Sequence, residues 1–179
     1  YLVGGRSTSG TPVSTVQIAD INPTGTLGTW TSSTALSGNL YGHDAKVYND
    51  RLYVIGGATT VGGAPSSSVT YNKINSNGTL NSWITTTSLP SGRMSGGGNF
   101  TTVWGGYLYS SGGCSAVNGS GYCTTVADDT NVASINADGS IDVWNAVGAL
   151  TSQRIGASLV AWLDKIYHVG GCSAQNTTS

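Results

Sequence analysis

The sequence predicts an all-β chain built from repeated four-stranded antiparallel units. Three observations point there. Twenty-seven of the 179 residues are glycine, with Ser, Thr and Asn abundant between short runs of β-branched and aromatic residues, which describes many short strands joined by tight turns. Four apolar runs end in a Gly-Gly pair. Between those pairs one Ile-Asn-x-x-Gly phrase recurs three times with a tryptophan at a fixed distance, and self-similarity of that kind marks a repeat architecture.

The Gly-Gly runs are Tyr1-Leu2-Val3-Gly4-Gly5, Leu52-Tyr53-Val54-Ile55-Gly56-Gly57, Leu108-Tyr109-Ser110-Ser111-Gly112-Gly113 and Ile166-Tyr167-His168-Val169-Gly170-Gly171, spaced 52, 56 and 58 residues apart. Each reads as a strand. The second phrase runs from Ile21-Asn22 through Gly25 to Trp30, from Ile74-Asn75 through Gly78 to Trp83, and from Ile135-Asn136 through Gly139 to Trp144, each tryptophan eight residues after its Asn. Asn bonds the local backbone and Gly accepts positive φ, so the phrase joins two strands as a hairpin, and the tryptophan anchors the outgoing strand. A third element precedes each later Gly-Gly run, at 42–48, 98–104 and 156–162, followed by the short turns Asn49-Asp50, Gly105-Gly106 and Leu163-Asp164. A full repeat thus has four strands. One domain is expected, with repeats at 1–30, 31–83, 84–144 and 145–179, the first and last incomplete, supplying three, four, four and two strands.

These residues resemble the kelch repeat, in which a Gly-Gly pair closes the second strand and a later aromatic and tryptophan pack between neighbouring units. The resemblance covers essentially the whole chain. It departs from the usual pattern in the longer interval from Gly-Gly to Trp, 26 residues between Gly57 and Trp83, a variant similar to repeats of bacterial secreted and cell-surface proteins. The resemblance implies a β-propeller with four-stranded antiparallel blades, of which this chain holds about three. Thirteen strands are too few to close a ring of four to eight blades, and an unclosed blade leaves a bare face and edge. The expectation is a partial propeller, completed by the remaining blades of a longer chain or by another copy of itself.

Charged residues make up 8% of the chain and the formal net charge is −1, against roughly 25% charged in an ordinary soluble domain. Nothing in that balance attracts nucleic acid, and a surface made of hydroxyls and amides fits an extracellular or cell-surface protein. No run approaches the roughly 18 apolar residues of a membrane helix, so no membrane insertion is expected in this stretch. Cys114 and Cys123 flank a Gly/Ser-rich stretch and read as a loop disulfide, the alternative being two free thiols in a reducing compartment. Metal-type Cys-x-x-Cys or His-x-x-x-His spacing is missing. Gly170-Gly171-Cys172-Ser173-Ala174 copies Gly112-Gly113-Cys114-Ser115-Ala116, leaving the partner of Cys172 open.

No catalytic residue, metal site or cofactor is assigned. Asn136-Ala137-Asp138-Gly139-Ser140 is similar to the Asp-box turn of sialidase propellers, but its tryptophan stands too far downstream. Galactose oxidase, another kelch-type propeller, needs paired histidines; here His43 and His168 lie in separate repeats and read as structural. The binding candidates are loop and mouth residues. Asn39, Arg93 and Arg154 stand in matching phrases just before the first strand of each repeat. In a propeller that strand lines the central channel, so these residues are expected to ring one mouth, where long donors hold an anionic or sugar ligand or else brace neighbouring loops. Tyr41 opens a first strand, and Tyr122 sits inside the presumed disulfide loop as a contact aromatic. Asp128 and Asp129 lie in the long insertion after Cys123, where adjacent carboxylates suit a cation or a strand cap better than acid/base work. Trp104 and Trp162 match Tyr48 and are expected to pack. Glycosylation sequons fall at Asn77, Asn99, Asn118 and Asn176, Asn118 alone in an obvious loop. The function expected is non-catalytic: an extracellular module for protein or glycan binding, adhesion or surface assembly. The alternatives are part of an exported carbohydrate-active enzyme and a structural filament or sheath subunit.

Overall fold

Two-residue turns with both residues at positive φ match the twist of paired antiparallel strands, and three of them organise the chain. Asn49 and Asp50 take φ of 44° and 53°, Gly105 and Gly106 take 59° and 86°, and Leu163 and Asp164 take 46° and 57°. The computed structural model describes residues 1–174, and among them every regular element is a strand. In chain order these are β1 (Leu2–Val3), β2 (Val16–Ile18), β3 (Thr31–Ser32), β4 (Tyr41–Tyr48), β5 (Arg51–Ala58), β6 (Val69–Lys73), β7 (Ile84–Thr86), β8 (Thr101–Trp104), β9 (Tyr107–Ser111), β10 (Cys114–Val117), β11 (Cys123–Val126), β12 (Asp129–Ser134), β13 (Asn145–Ala149), β14 (Ser158–Trp162) and β15 (Lys165–Val169).

They form five antiparallel sheets: β1-β2-β3, β4-β5-β6-β7, β8-β9-β12-β13, β14-β15, and the separate hairpin β10-β11 inserted between β9 and β12. The repeat bounds drawn at residues 30, 83 and 144 fall one strand early. β3, β7 and β13 begin directly after Trp30, Trp83 and Trp144 and pair back onto β2, β6 and β12, so each tryptophan precedes the last strand of its own sheet. The insertion after Gly113 is also more ordered than a loop, because β10 and β11 pair and Asp129 opens β12.

The Asn-x-x-Gly phrases form small hairpins closed by the bridges Ile21 to Leu27, Ile74 to Leu80 and Ile135 to Ile141. In each, the Asn side-chain amide donates to a hydroxyl four residues on, at 3.0 Å in all three copies. Two of these hairpins dock on the preceding sheet. Trp83 Nε1 donates to the Thr34 carbonyl and Trp144 Nε1 to the Thr87 carbonyl, both at 3.3 Å. Thr34 donates to the Leu80 carbonyl, and the Tyr53 hydroxyl to the Gly139 carbonyl at 3.0 Å. The Gly-Gly pairs form a second seam between successive sheets. Gly5, Gly57 and Gly113 donate their N–H to the carbonyls of Leu40, Arg93 and Arg154 at 2.8, 2.7 and 2.7 Å.

β5 shows what this stacking does to burial. Successive side chains of a strand point to opposite faces: Leu52 and Val54 join Val16, Leu36 and Leu80 on one side, while Tyr53 and Ile55 join Phe100, Leu108, Ile141 and Trp144 on the other. A strand buried on both faces reads as an unbroken apolar run, which is the form of Leu52 to Ile55. Trp162 differs from its expected packing, standing 61% exposed, whereas Trp104 is half-buried and donates to Asp164. The sequon at Asn176 lies outside the described residues.

Candidate functional site

The repeat brings equivalent residues to one end of the sheets. Leu40, Arg93 and Arg154 are the true equivalents, because each offers its carbonyl to the second glycine of the preceding sheet. The match of Asn39 with the two arginines is therefore one residue out of register. The next position along holds Tyr41, Met94 and Ile155, and all three line a single cleft of about 360 Å³. Arg6 and Cys114, each the residue after a Gly-Gly pair, complete its wall with Ser95, Ser120 and Tyr122. Four successive repeats thus contribute to one site.

Apolar residues under the cleft fix its floor. Tyr41, Ala58, Met94, Cys114, Cys123 and Ile155 form one buried cluster. The Arg6 guanidinium carbon lies 4.1 Å from the centre of the Tyr41 ring, a cation-over-ring contact. Tyr41 is 7% exposed, and its hydroxyl is shut off from solvent with no hydrogen-bond partner. An unpaired buried hydroxyl costs about 1–3 kcal/mol, which an acceptor brought by a ligand would recover.

The β10-β11 hairpin supplies one side of the cleft, with Val117, Ser120, Gly121 and Tyr122 beside its two cysteines. A disulfide joins Cys114 and Cys123, with Cα atoms 5.7 Å apart. At its tip the Asn118 side-chain oxygen accepts from the N–H groups of Ser120 and Tyr122, both at 3.0 Å, which holds Tyr122 at the rim. Asn118 is accordingly half-buried and turned inward, so its sequon lies in a tight turn instead of an open loop. Thiol labelling of the unfolded, unreduced protein is expected to tag Cys172 alone, since it is the free, exposed cysteine. Replacing Cys114 and Cys123 by alanine is expected to lower stability by about 2–3 kcal/mol, the loop-closure entropy of so short a ring. Labelling of two or three cysteines per chain would contradict the bridge.

The other sequence candidates separate. Arg93 is buried, donates to Ser91 Oγ at 2.7 Å and to the Gly92 carbonyl at 3.0 Å, and pairs with Asp129. Asp129 also accepts from Asn131. Both groups are spent on bracing, the second of the two roles foreseen for such arginines. Arg154 is half-buried beside a different cavity, with Gly96, Gly156 and Cys172. Asn39 is exposed on a third, with Leu36 and Ser68. Asp128 is exposed, and its backbone carbonyl accepts from Leu150. The expected ring of Asn39, Arg93 and Arg154 is thus not assembled in one cavity, whereas Tyr41 and Tyr122 do meet in the cleft. Burial holds the His43 imidazole below its ordinary pKa, against the pull of Asp44 and a hydrogen bond to the Val3 backbone. Burial likewise lowers that of His168.

No family model matches the chain, and neither does any curated protein. Among solved structures it is similar to that of YjhT, at 17% identity and a TM-score of 0.62 over 87% of this chain and 45% of the other. The likeness is one of fold, and the chain spans less than half the length of that structure.

Proposed function

We propose that this chain forms about three blades of a kelch-type β-propeller that works outside the cell as a non-catalytic binding module, with the cleft as its site for a glycan or a protein segment. The observation that carries the proposal is the assembly of equivalent positions, Tyr41, Met94 and Ile155, around a partnerless buried hydroxyl. They lie beside a disulfide hairpin that, among the described residues, the third sheet's repeat carries, and variation on a constant scaffold is where binding concentrates. The Gly-Gly seams and docked tryptophans support blades stacked around an axis, and the disulfide supports an oxidising compartment. The lining offers one arginine and two tyrosines without carboxylate or imidazole, a recognition set more than an acid/base set.

Ser120→Trp fills the mouth from an exposed loop tip without touching the core. On a panel of immobilised glycans, wild-type protein is expected to be retained and Ser120→Trp to lose at least tenfold in affinity, with no sugar released. Equal retention of the variant would move the site elsewhere. Release of product would favour the carbohydrate-active enzyme.

A second feature supports the assembly side of the proposal. Ile21, Leu27 and Trp30 are 77%, 55% and 44% exposed, while Leu80, Ile141 and Trp144 in the docked hairpins are 6%, 2% and 8% exposed. The first hairpin is the seat for one more blade of the same kind. It comes from the remainder of a longer chain or from another copy, as in a filament or sheath.

A further inference from the structure

We infer that the cleft holds its ligand through a carboxylate, and that the class it takes is an acidic sugar of the uronic type; this rests on the cleft being the ligand site. Among the described residues the ion pairs are Lys46 with Asp44 and Arg93 with Asp129, so the Arg6 guanidinium faces the cleft without a carboxylate partner. The lining supplies no acid to neutralise it. Beneath it lies the ring of Tyr41, whose buried hydroxyl is also without a partner. Arg6 is exposed and rests on the Tyr41 ring, so a small swing of its side chain brings both groups to one ligand. Two adjacent donors match the two oxygens of a carboxylate, one for each. A phosphate or sulfate carries further charged oxygens, for which the lining holds the neutral hydroxyls of Ser95 and Ser120 and no cation beside Arg6.

The remaining wall suits a sugar ring. Ser95 and Ser120 carry hydroxyls for ring hydroxyls, Tyr122 presents an exposed aromatic edge at the rim, and about 360 Å³ accommodates a terminal monosaccharide. With only 8% charged residues in the chain, few other charges compete with Arg6 for the ligand.

Calorimetric titration of the full chain with D-galacturonate, its neutral amide, D-galactose and inorganic phosphate tests the assignment. Galacturonate is expected to bind at least tenfold tighter than its amide or galactose, and to weaken as salt rises. Arg6→Ala is expected to lose about tenfold for galacturonate and nothing for galactose. Tyr41→Phe, which removes only the hydroxyl, is expected to lose severalfold for galacturonate, with near-ultraviolet circular dichroism confirming the native core of both variants. Equal affinity for acid and amide, tighter binding of phosphate, or indifference of galacturonate binding to Arg6→Ala would each overturn the carboxylate. If neutral sugar binds equally well and Ser120→Trp abolishes it, the cleft survives as the site and only the charge assignment falls. If no sugar binds, the inference and the glycan reading fall together.

Discussion

Gly56→Ala is expected to lower the unfolding free energy by about 3–5 kcal/mol, against about 1–2 kcal/mol for Gly5→Ala. Both glycines have positive φ, 67° and 99°, so both substitutions carry the backbone strain of a left-handed conformation. The surroundings differ. A Cβ on Gly56 would stand 2.4 Å from the Arg93 carbonyl oxygen and 3.1 Å from the Phe100 ring, whereas one on Gly5 meets nothing within 4 Å. That carbonyl accepts from the Gly57 N–H at 2.7 Å, so pushing it away also breaks the seam to the third sheet. Urea unfolding of the two variants beside wild type checks the difference. Equal losses would mean that the Gly-Gly pair is kept for backbone conformation alone, and the seam would have no energetic role.

Why the pair recurs was only half legible in the sequence. Positive φ favours glycine, and the strand ending in each pair could be read from the apolar run before it. The carbonyl that each pair approaches lies 35 to 41 residues further on, in the next sheet, and no local pattern announces a contact across that distance. The same gap explains the one-residue slip at Asn39. Ser-Gly-Asn and Ser-Gly-Arg look alike, but the register is set by the carbonyl that meets the preceding glycine, and this belongs to Leu40. The tryptophan bounds failed for a related reason. The indoles of Trp83 and Trp144 pack across to the preceding sheet while their backbone leads into the last strand of their own, so the residue that marks the interface is not the residue that ends the repeat.

At the site, Tyr41 and Tyr122 were legible as aromatics at a strand start and inside a cysteine-closed loop. Arg6 was missed. It belongs to the short first run, where no second arginine drew attention to it. Its place directly after Gly4-Gly5, matching Cys114 after Gly112-Gly113, was a usable signal, since equivalent positions of a repeat share an environment. Arg93 was visible as a donor, but its acceptor Asp129 lies 36 residues away. Only the pairing of β12 with β9 brings that carboxylate to it.

Asp44→Ala is expected to cost about 3–5 kcal/mol. Asp44 is 7% exposed on β4. One carboxylate oxygen accepts from the N–H groups of Phe100 and Thr101 at 3.1 and 2.9 Å and from the Thr101 hydroxyl at 2.6 Å. The other accepts from the Ala45 N–H and from Lys46, both at 2.8 Å. Phe100 and Thr101 are 2% and 0% exposed, so removing the carboxylate strands two buried N–H groups and a hydroxyl where water cannot reach. Asp44→Asn keeps one acceptor oxygen and is expected to fall between Asp44→Ala and Thr101→Val, which deletes a single hydroxyl for about 1 kcal/mol. Denaturant unfolding of the three variants should give that order, and equal losses for Asp44→Ala and Thr101→Val would show that the backbone bonds contribute nothing. The seam also bears on the cleft. Tyr41 stands three residues before Asp44 on the same strand, and Met94, across the cleft, stands six residues before Phe100. Loosening the bond between the second and third sheets should therefore separate the two walls. Asp44→Asn is expected to weaken ligand binding although it touches no ligand, with the loss shared by neutral and acidic sugars alike, unlike that of Arg6→Ala.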